Sequence, residues 1–208
     1  MADYKYILLE KDKDTHIARL TLNRPDRRNA LNDVMQDELG DALEDVDADD
    51  SVRVLIITGA GNSFCAGGDL AALRGGSEPS AWVSDNPDEI RRAFNRTQRF
   101  MLALQRLEKP VIAMVNGVAV GAGLDLAAGC DIRIGTPRTR FMCAYIKIGL
   151  FPGFGGTWLY PRVLGSLGKA AEMLFTGDFM EADEAKQLGF LNKLVDEEDL
   201  ENEVMVMA

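Results

Sequence analysis

Two glycine-rich turns are the first places in this sequence where backbone groups could take part in chemistry. The first, NSFCAGGDLAAL at residues 62–73, follows the apolar run VRVLIITGAG, and the second, VGAGLDL at residues 120–126, follows VIAMVNGVA. Glycine permits a tight chain reversal, so each turn can be purely structural. Two functional interpretations compete with that one: a cradle for phosphate, or a backbone N–H directed at a developing negative charge.

The remaining side chains narrow the chemistry that this sequence can perform. The only histidine, His16, lies in a predicted N-terminal hairpin, and Cys65, Cys130 and Cys143 show no CxxC spacing. A serine-histidine-aspartate triad and a clustered metal site therefore lack candidate residues. The phosphate interpretation lacks G-x-x-x-x-G-K-[ST], and the glycine spacing does not form a dinucleotide fingerprint. We expect free thiols, no metal and no nucleotide hydrolysis.

The charge balance of the 208-residue chain argues against some classes of partner. Its 33 acidic and 23 basic residues give a formal net charge of -10, which repels nucleic acid and anionic membranes. The segment MADYKYILLEKDKDTH has charges on both sides of a short apolar run, unlike a secretory signal or a membrane anchor. An odd number of cysteines is typical of a reducing compartment. We expect one main domain, no nucleic-acid partner, no membrane association and a cytoplasmic location.

The spacing of apolar residues predicts the order of the first elements. Residues 4–25 read as two strands joined by a polar turn around Lys11–Thr15, and the second strand stops at Pro25. The next strand covers Val52–Thr58. Between them a helix is predicted from apolar side chains at helical spacing: Leu31, Met35, Leu39, Leu43 and Val46.

Further along, the sequence predicts a loop and a second strand-turn-helix unit. Residues 73–89 are rich in Gly, Ser, Pro and Asp, which favours a mobile loop, a candidate lid, before an amphipathic helix over Ile90–Leu107. Residues 111–135 repeat the order of strand, glycine-rich turn, helix and strand. Residues 139–165 are less periodic and predict a folded loop and a short helix. Helical segments separated by Gly177 and Gly189 follow, with a short strand at Leu191–Val195.

Five motifs resemble, in this order, those of the crotonase, or enoyl-CoA hydratase/isomerase, superfamily: LNRPDRRNAL, SFCAGGDL, VNGVAVGAGLDLAAGCDIRI, FPGFGGTWLYPRVLG and ADEAKQLGFLNKLV. The resemblance covers nearly the whole chain. It implies an α/β fold, a crotonase-like spiral of repeated β-β-α units that binds acyl-coenzyme A and assembles as homotrimers or dimers of trimers. We expect residues 1–195 to form the acyl-CoA-binding core. We expect residues 196–208 to begin a C-terminal helical region that is incomplete here and on which oligomer assembly depends.

The resemblance assigns the two glycine-rich turns to an oxyanion hole. Matching motif positions place the backbone N–H groups of Gly68 and Ala122 around the carbonyl oxygen of a thioester. Two fixed donors stabilise the enolate-like charge on that oxygen, and loss of one such donor costs about 3 kcal/mol in other enzymes. Ala122 also begins a predicted helix, whose N-terminal dipole favours negative charge. Both residues fit a purely structural role as well.

The same motifs imply contacts to coenzyme A. Arg27 and Arg28 form a basic turn that suits the phosphate-rich end of the ligand, although an ordinary solvated turn is the alternative. Ala66, Asp69 and Leu70 flank the first turn, and the resemblance assigns this region to thioester and CoA binding. Asp69 is expected to position the turn rather than to catalyse. Coenzyme A enters as part of the substrate, and we expect no prosthetic group.

Two candidate catalytic side chains depart from the family pattern. The hydratases of the family commonly use two glutamates, whereas the matching positions here carry Asp125 and Tyr145. Asp125 keeps an acid/base group on a shorter side chain, and a helix-start carboxylate with only local backbone bonds is the alternative. Tyr145, with an ordinary phenol pKa of about 10, is a better hydrogen-bond donor than base, or it makes only a structural hydrogen bond. A third carboxylate position of the family corresponds to Gly153.

The predicted activity is the hydration of an enoyl-CoA, with the oxyanion hole holding the thioester carbonyl and Asp125 moving a proton. Because the second glutamate is missing, double-bond isomerisation of an enoyl-CoA is the first alternative. The second alternative is a noncatalytic acyl-CoA-binding or assembly protein that keeps the scaffold of the oxyanion hole without turnover.

Overall fold

The computed structural model describes residues 4–70 and 84–208. The predicted mobile loop at residues 73–89 lies mostly outside the described residues, and its last three residues already belong to a helix. That helix begins at Pro87 rather than at Ile90, because the Asn86 side chain accepts a hydrogen bond from the Asp88 N–H at 3.0 Å and proline suits the first helical position.

A six-stranded sheet forms one layer of the fold. In spatial order its strands are β1 (Ile7–Asp12), β2 (Ile17–Leu22), β3 (Val54–Gly59), β5 (Val111–Val115), β7 (Ile132–Gly135) and β10 (Lys193–Leu194). The strands β1 and β2 pair antiparallel, and every other neighbouring pair is parallel. The predicted N-terminal hairpin is therefore confirmed. The strand predicted at Leu191–Val195 is present but shorter, as β10.

A second sheet of four short strands joins the two glycine-rich turns. Its strands, in spatial order, are β4 (Ser63–Cys65), β6 (Val118–Val120), β8 (Arg140–Met142) and β9 (Phe179–Glu181). The pairs β4–β6 and β6–β8 are parallel, so the chain leaves β4 and β6 at the same edge of the sheet. The sequence analysis placed β4 and β6 at glycine-rich turns, β8 in a folded loop and β9 among helical segments, so the prediction for β9 was wrong. The pairing of β4 with β6 is what brings the two turns together.

The helices pack around these two sheets. Their bounds are α1 (Asp33–Asp47), α2 (Pro87–Arg106), α3 (Ala122–Gly129), α4 (Gly156–Val163), α5 (Leu167–Thr176), α6 (Ala182–Gln187) and α7 (Leu200–Met207). Short 3-10 helices cover Pro25–Arg27 and Ala144–Ile148. The predicted breaks are confirmed, since Gly177 in the left-handed conformation ends α5 and Gly189 follows α6.

The helix predicted from apolar spacing is α1, and its apolar face is part of the main core. Leu31 lies before the helix begins, and the other four residues lie within it. All five side chains that predicted it are buried: Leu31, Met35, Leu39, Leu43 and Val46. Asn32 caps the helix, since its side-chain oxygen accepts a hydrogen bond from the Met35 N–H at 2.9 Å. Full burial of one such side chain contributes about 1.5–3 kcal/mol to folding.

Helix α3 is buried on all sides, from Ala122 to Ala128. Such a helix is normally apolar all round, and α3 is so except for one carboxylate, Asp125. A buried carboxylate must find hydrogen-bond donors, because an unpaired charge in a core is costly. The partners of Asp125 therefore define the chemistry of this region.

Candidate active site

An apolar cavity of about 450 Å³ lies where the turn after β4, the start of α3 and the Ala144–Ile148 3-10 helix meet. Most of its wall consists of apolar side chains, among them Ile90, Phe94, Met142, Ile148, Leu150, Phe151 and Phe154. The rings of Phe94 and Phe151 stack with centroids 5.7 Å apart and an interplanar angle of 13°. A pocket of this size and character suits an apolar ligand.

Leu31 holds the chain at Gly68 in an extended conformation. The Leu31 N–H donates to the Gly67 carbonyl at 2.7 Å, and the Asp69 N–H donates to the Leu31 carbonyl at 3.0 Å. Leu31 thus pairs with the peptide groups on either side of Gly68, and the Gly68 N–H lies on the opposite side of the chain. A Cβ added at Gly68 would meet nothing within 4 Å, so the space beside this residue is open.

The second turn places the Ala122 N–H at the first position of α3. The Gly121 N–H donates to the Met142 carbonyl at 2.8 Å, and the Asp125 N–H donates to the Gly121 carbonyl at 3.0 Å. These bonds fix the first turn of the helix. The first N–H groups of a helix have no acceptor within it, and the helix dipole favours negative charge at this end.

Gly67 brings the two turns into contact. A Cβ added at this residue would lie 2.6 Å from the Val120 carbonyl oxygen and 3.5 Å from the Ala122 nitrogen, and its φ of +91° also favours glycine. Gly68 and Ala122 consequently border the same cavity. The structure brings together the two residues that the sequence analysis paired.

The Asp125 carboxylate is fully buried and accepts hydrogen bonds from two tyrosines. Tyr145 donates its hydroxyl to Oδ2 at 2.5 Å, and Tyr160, from α4, donates its hydroxyl to Oδ1. Both carboxylate oxygens therefore bond tyrosine hydroxyls rather than the backbone at the helix start. Of these three residues, only Tyr145 is among the described residues that border the cavity. Asp125 is thus connected to the cavity by its hydrogen bond with Tyr145.

Burial shifts the pKa values of Asp125 and of the two tyrosines that bond it. Burial raises the pKa of Asp125 from 3.8 to about 7, and the hydrogen bonds from Tyr145 and Tyr160 oppose that rise. Burial, together with the nearby carboxylate, raises the pKa of each of these tyrosines well above 10. The carboxyl group therefore titrates near neutral pH while both hydroxyls remain protonated. A buried group with this behaviour beside a cavity is a candidate acid/base.

Gly156 makes room for this network at the start of α4. A Cβ at this residue would lie 2.5 Å from Asp125 Oδ1 and 2.7 Å from the Tyr160 ring. Because glycine has no Cβ, α4 can approach α3 closely enough for the Tyr160 hydroxyl to reach the carboxylate. The glycine-rich motif before α4 therefore has a packing function.

The predicted contacts to coenzyme A lie at different distances from the cavity. Ala66, Asp69 and Leu70 border it, whereas Arg27 and Arg28 are exposed and lie outside the set of described residues that line it. The Asp69 carboxylate pairs with the Arg24 guanidinium at 3.0 Å, and both side chains are largely buried. This pair ties the first glycine-rich turn to the chain before α1, in keeping with a positioning role for Asp69.

The other candidates from the sequence contribute little to the cavity. Gly153 borders it without a side chain, and the His16 ring donates from Nδ1 to the Ser51 carbonyl at 2.8 Å, in the N-terminal region. Within residues 4–70 and 84–208, no cluster of His, Cys, Asp or Glu residues is arranged to hold a metal ion. Over the same residues, no helix is both long and apolar enough to cross a membrane.

Sequence reasoning missed Tyr160. This residue lies 35 positions from Asp125, inside the segment GTWLYPRV, and neither its type nor its spacing marks it as functional. The only available signal was the buried carboxylate itself, which requires donors from somewhere else in the fold.

Comparison with known proteins identifies the family. The sequence profile described as Enoyl-CoA hydratase/isomerase matches residues 12–208, and the chain belongs to this family. It is 41% identical over 207 residues to crotonyl-CoA hydratase of Syntrophomonas wolfei, covering 99% of this chain and 75% of that protein. It is 40% identical over 204 residues to 1,2-epoxyphenylacetyl-CoA isomerase of Escherichia coli K12, covering 98% of this chain and 75% of that protein.

Solved structures agree with this assignment. An enoyl-CoA hydratase from Mycobacterium smegmatis superposes with a TM-score of 0.87 at 37% identity, covering 98% of this chain and 75% of that one. An enoyl-CoA hydratase from Bacillus anthracis gives a TM-score of 0.86 at 32% identity, covering 98% of this chain and 75% of that one. The resemblance, the crotonase-like α/β fold and the predicted class of acyl-CoA-processing enzyme are confirmed.

Proposed function

We propose that this protein hydrates an enoyl-CoA, holding the thioester carbonyl at the N–H groups of Gly68 and Ala122 and activating water through Tyr145 and Asp125. The observation that carries the proposal is the Tyr145 hydroxyl, which borders the cavity and donates to the buried Asp125 carboxylate. Identity to proteins named crotonyl-CoA hydratase and short-chain-enoyl-CoA hydratase supports the reaction class.

The first step of the proposed reaction is polarisation of the thioester. When an oxygen nucleophile adds to the β-carbon, the electrons of the C=C bond move toward the thioester oxygen. Two fixed N–H donors stabilise the resulting enolate because they need no reorganisation as the charge develops. The open space beside Gly68 and the position of Ala122 at a helix N-terminus support this assignment. Arg27 and Arg28 are proposed to hold the phosphate-rich end of coenzyme A at the entrance.

Proton transfer in this proposal runs through Tyr145. With Asp125 ionised, the Tyr145 hydroxyl donates a hydrogen bond to Oδ2, and the Tyr145 oxygen can accept a hydrogen bond from a water in the cavity. As that water attacks the β-carbon, its proton passes to the Tyr145 oxygen while the Tyr145 proton passes to Asp125. The reverse transfer then protonates the α-carbon of the enolate. One water supplies the added hydroxyl and the added proton, and Tyr145 never has to ionise.

Double-bond isomerisation is a second candidate, favoured by the presence of a single carboxylate in the network. One acid/base group can remove a proton from one carbon and return it to another, with the same oxyanion hole holding the intermediate enolate. The 40% identity to a protein named 1,2-epoxyphenylacetyl-CoA isomerase also supports chemistry other than hydration.

Turnover of a panel of enoyl-CoA thioesters in heavy-oxygen water distinguishes these functions by mass spectrometry. Hydration gives a hydroxyacyl-CoA that carries the label, and isomerisation gives unlabelled positional isomers. Tight binding without conversion would support a noncatalytic acyl-CoA-binding protein. Asp125→Asn is expected to abolish conversion. The control is Asp33→Asn, which removes a carboxylate that borders the cavity but pairs with Arg96, and this variant is expected to retain conversion.

We also propose that the protein works in the cytoplasm as a homotrimer or a dimer of trimers. Large exposed apolar side chains on α5 support a partner surface, with Leu167 exposed to 74% and Phe175 to 78%. The net charge of -10 supports a partner other than nucleic acid.

A further inference from the structure

Tyr160 lies behind the cavity, yet it contacts the carboxylate of the proposed catalytic network. Its side chain is fully buried, it is not among the described residues that border the cavity, and its hydroxyl donates to Asp125 Oδ1. It therefore reaches the substrate only through Asp125 and Tyr145. Gly156 provides the space for this contact.

We propose that Tyr160 is a positioning residue that holds the Asp125 carboxylate in place and in its ionised form, so that the carboxylate can accept the proton of Tyr145. This inference rests on the proposed function, in which Tyr145 touches the substrate and Asp125 stores the proton. It assigns a role in the reaction to a residue outside the cavity.

The geometry gives Tyr160 two effects on Asp125. A carboxylate held at only one oxygen can turn about its Cβ–Cγ bond, whereas hydrogen bonds to both oxygens fix its plane. The bond from Tyr160 to Oδ1 therefore keeps Oδ2 on the Tyr145 hydroxyl. The same bond stabilises the anion in a site where burial opposes ionisation.

Within the described part of the chain, no cation helps to stabilise the ionised Asp125 carboxylate. The titratable groups that face Asp125 there are Tyr145, Tyr160 and the Cys143 thiol, and Cys65 lies near Tyr145. Burial raises the pKa of Cys143 to about 11 and that of Cys65 to about 12, so both thiols are neutral. The two tyrosine hydroxyls are thus the side-chain donors to this carboxylate, and removing one leaves it with half of its support.

The test is the pH dependence of kcat/KM for Tyr160→Phe on the enoyl-CoA that the wild type converts. Loss of a hydrogen bond to a charged group is expected to move the acidic limb upward by about one to two pH units. At pH 7 kcat/KM then falls about 5- to 50-fold, recovers toward the wild-type value above pH 9, and KM stays within about twofold. Tyr4→Phe, which removes a hydroxyl far from this network, is expected to leave the profile unchanged.

Two outcomes would overturn the inference: an unchanged profile, or a loss of activity that is equal at every pH and so reflects packing alone. If Tyr160→Phe does not fold, the chain carrying 3-fluorotyrosine at position 160 alone replaces it. The more acidic phenol is a stronger donor, so the acidic limb should move downward, and a limb that does not move counts against the role of the Tyr160 hydroxyl.

The failure of the proposed function can be told apart from the failure of this inference. If no enoyl-CoA is converted by the wild type, the proposed function fails, and the ionisation of Asp125 is followed directly by infrared spectroscopy of its carboxyl band. The band is expected to titrate at a higher pH in Tyr160→Phe than in the wild type and to be absent in Asp125→Asn. Equal titration in the wild type and Tyr160→Phe would overturn the role of Tyr160.

Discussion

At the scale of single residues, the unusual feature is a carboxylate that does not touch the cavity. Asp125 is fully buried, and its two oxygens accept hydrogen bonds from Tyr145 and Tyr160. Of these three residues, Tyr145 alone is among the described residues that border the cavity. In the proposed reaction it carries protons between the cavity and Asp125 while remaining neutral.

Tyr145→Phe tests this relay. Without the hydroxyl, water in the cavity has no path to Asp125, and kcat is expected to fall by about 100-fold to 10,000-fold, the usual contribution of general acid–base catalysis. KM should change little, because the ring that lines the cavity is retained. Steady-state kinetics beside the Tyr4→Phe control measure both quantities, and a variant with wild-type kcat would show that the relay runs elsewhere.

The buried carboxyl also predicts how stability depends on pH. Its pKa is about 7 in the folded protein against 3.8 as the ordinary value, so folding favours the protonated form. The stability that protonation contributes is complete below about pH 4 and is lost as pH rises through 7, by about 4 kcal/mol in total. Asp125→Asn should lack this loss.

Urea unfolding of the wild type and of Asp125→Asn between pH 4 and pH 9 measures the effect. The difference between their free energies of unfolding isolates Asp125 from the other titrating groups. It should shift in favour of the variant as the pH rises. A difference that is constant across this range would mean that the carboxyl titrates alike in the folded and unfolded chain.

At the scale of elements, two short parallel strand pairs position the site. The β4–β6 pairing brings both turns to one edge of the second sheet, and the close approach of Gly67 to Val120 fixes their spacing. Neighbouring glycines in the first turn therefore have different functions. The fold requires glycine at residue 67, because a Cβ there would collide with the Val120 carbonyl oxygen, whereas a Cβ at residue 68 would meet no other atom within 4 Å.

A matched pair of alanine variants separates these functions. Gly67→Ala places a Cβ 2.6 Å from a carbonyl oxygen at a φ of +91°, and strain of this kind costs about 1–3 kcal/mol or more. Gly68→Ala meets no atom within 4 Å, so its stability should stay within about 0.5 kcal/mol of the wild type. Its methyl group lies beside the proposed thioester position, and kcat/KM should fall about 10-fold or more. Unfolding and kinetics on both variants test this, and a fully active Gly68→Ala would argue against thioester binding there.

At the scale of the whole molecule, the sequence predicted the larger sheet and the helices better than the second sheet. The helix over Asp33–Asp47 shows helical spacing, β1 and β2 alternate between buried and more exposed residues, and β3 and β5 are continuous apolar runs. Each of these elements is long enough for its pattern to be recognised. The strands β4, β6, β8 and β9 have three residues each, which is too short for alternation to be visible.

The sequence predicted the site residues that lie inside recognisable motifs, and it missed a contact between elements that are distant in the chain. The turn residues Gly68 and Ala122 and the candidate Asp125 belong to motifs that a family resemblance can locate. The contact of Asp125 with Tyr160 joins α3 to α4 across 35 residues and depends on a glycine that allows the two helices to approach. Contacts of this kind are set by packing between elements, which one sequence does not encode in any local pattern.

The proposed assembly is also a property of the whole molecule. Three chains of 22.8 kDa would give a particle of about 68 kDa, and a dimer of trimers about twice that mass. Light scattering on a sizing column measures the mass directly. A particle of one chain would agree with the expected dependence of assembly on a more complete C-terminal helical region, whereas a stable trimer of this chain would contradict that dependence.

The central claim is that this cavity holds an acyl-CoA thioester between two backbone donors and the tyrosine relay. A crystal structure of the protein with a slowly reacting acyl-CoA tests it most directly. We predict the thioester oxygen within about 2.7–3.1 Å of the nitrogens of Gly68 and Ala122. We also predict the β-carbon, or a water beside it, within hydrogen-bond reach of the Tyr145 oxygen. A thioester oxygen remote from both nitrogens, with the ligand otherwise well ordered, would contradict the account.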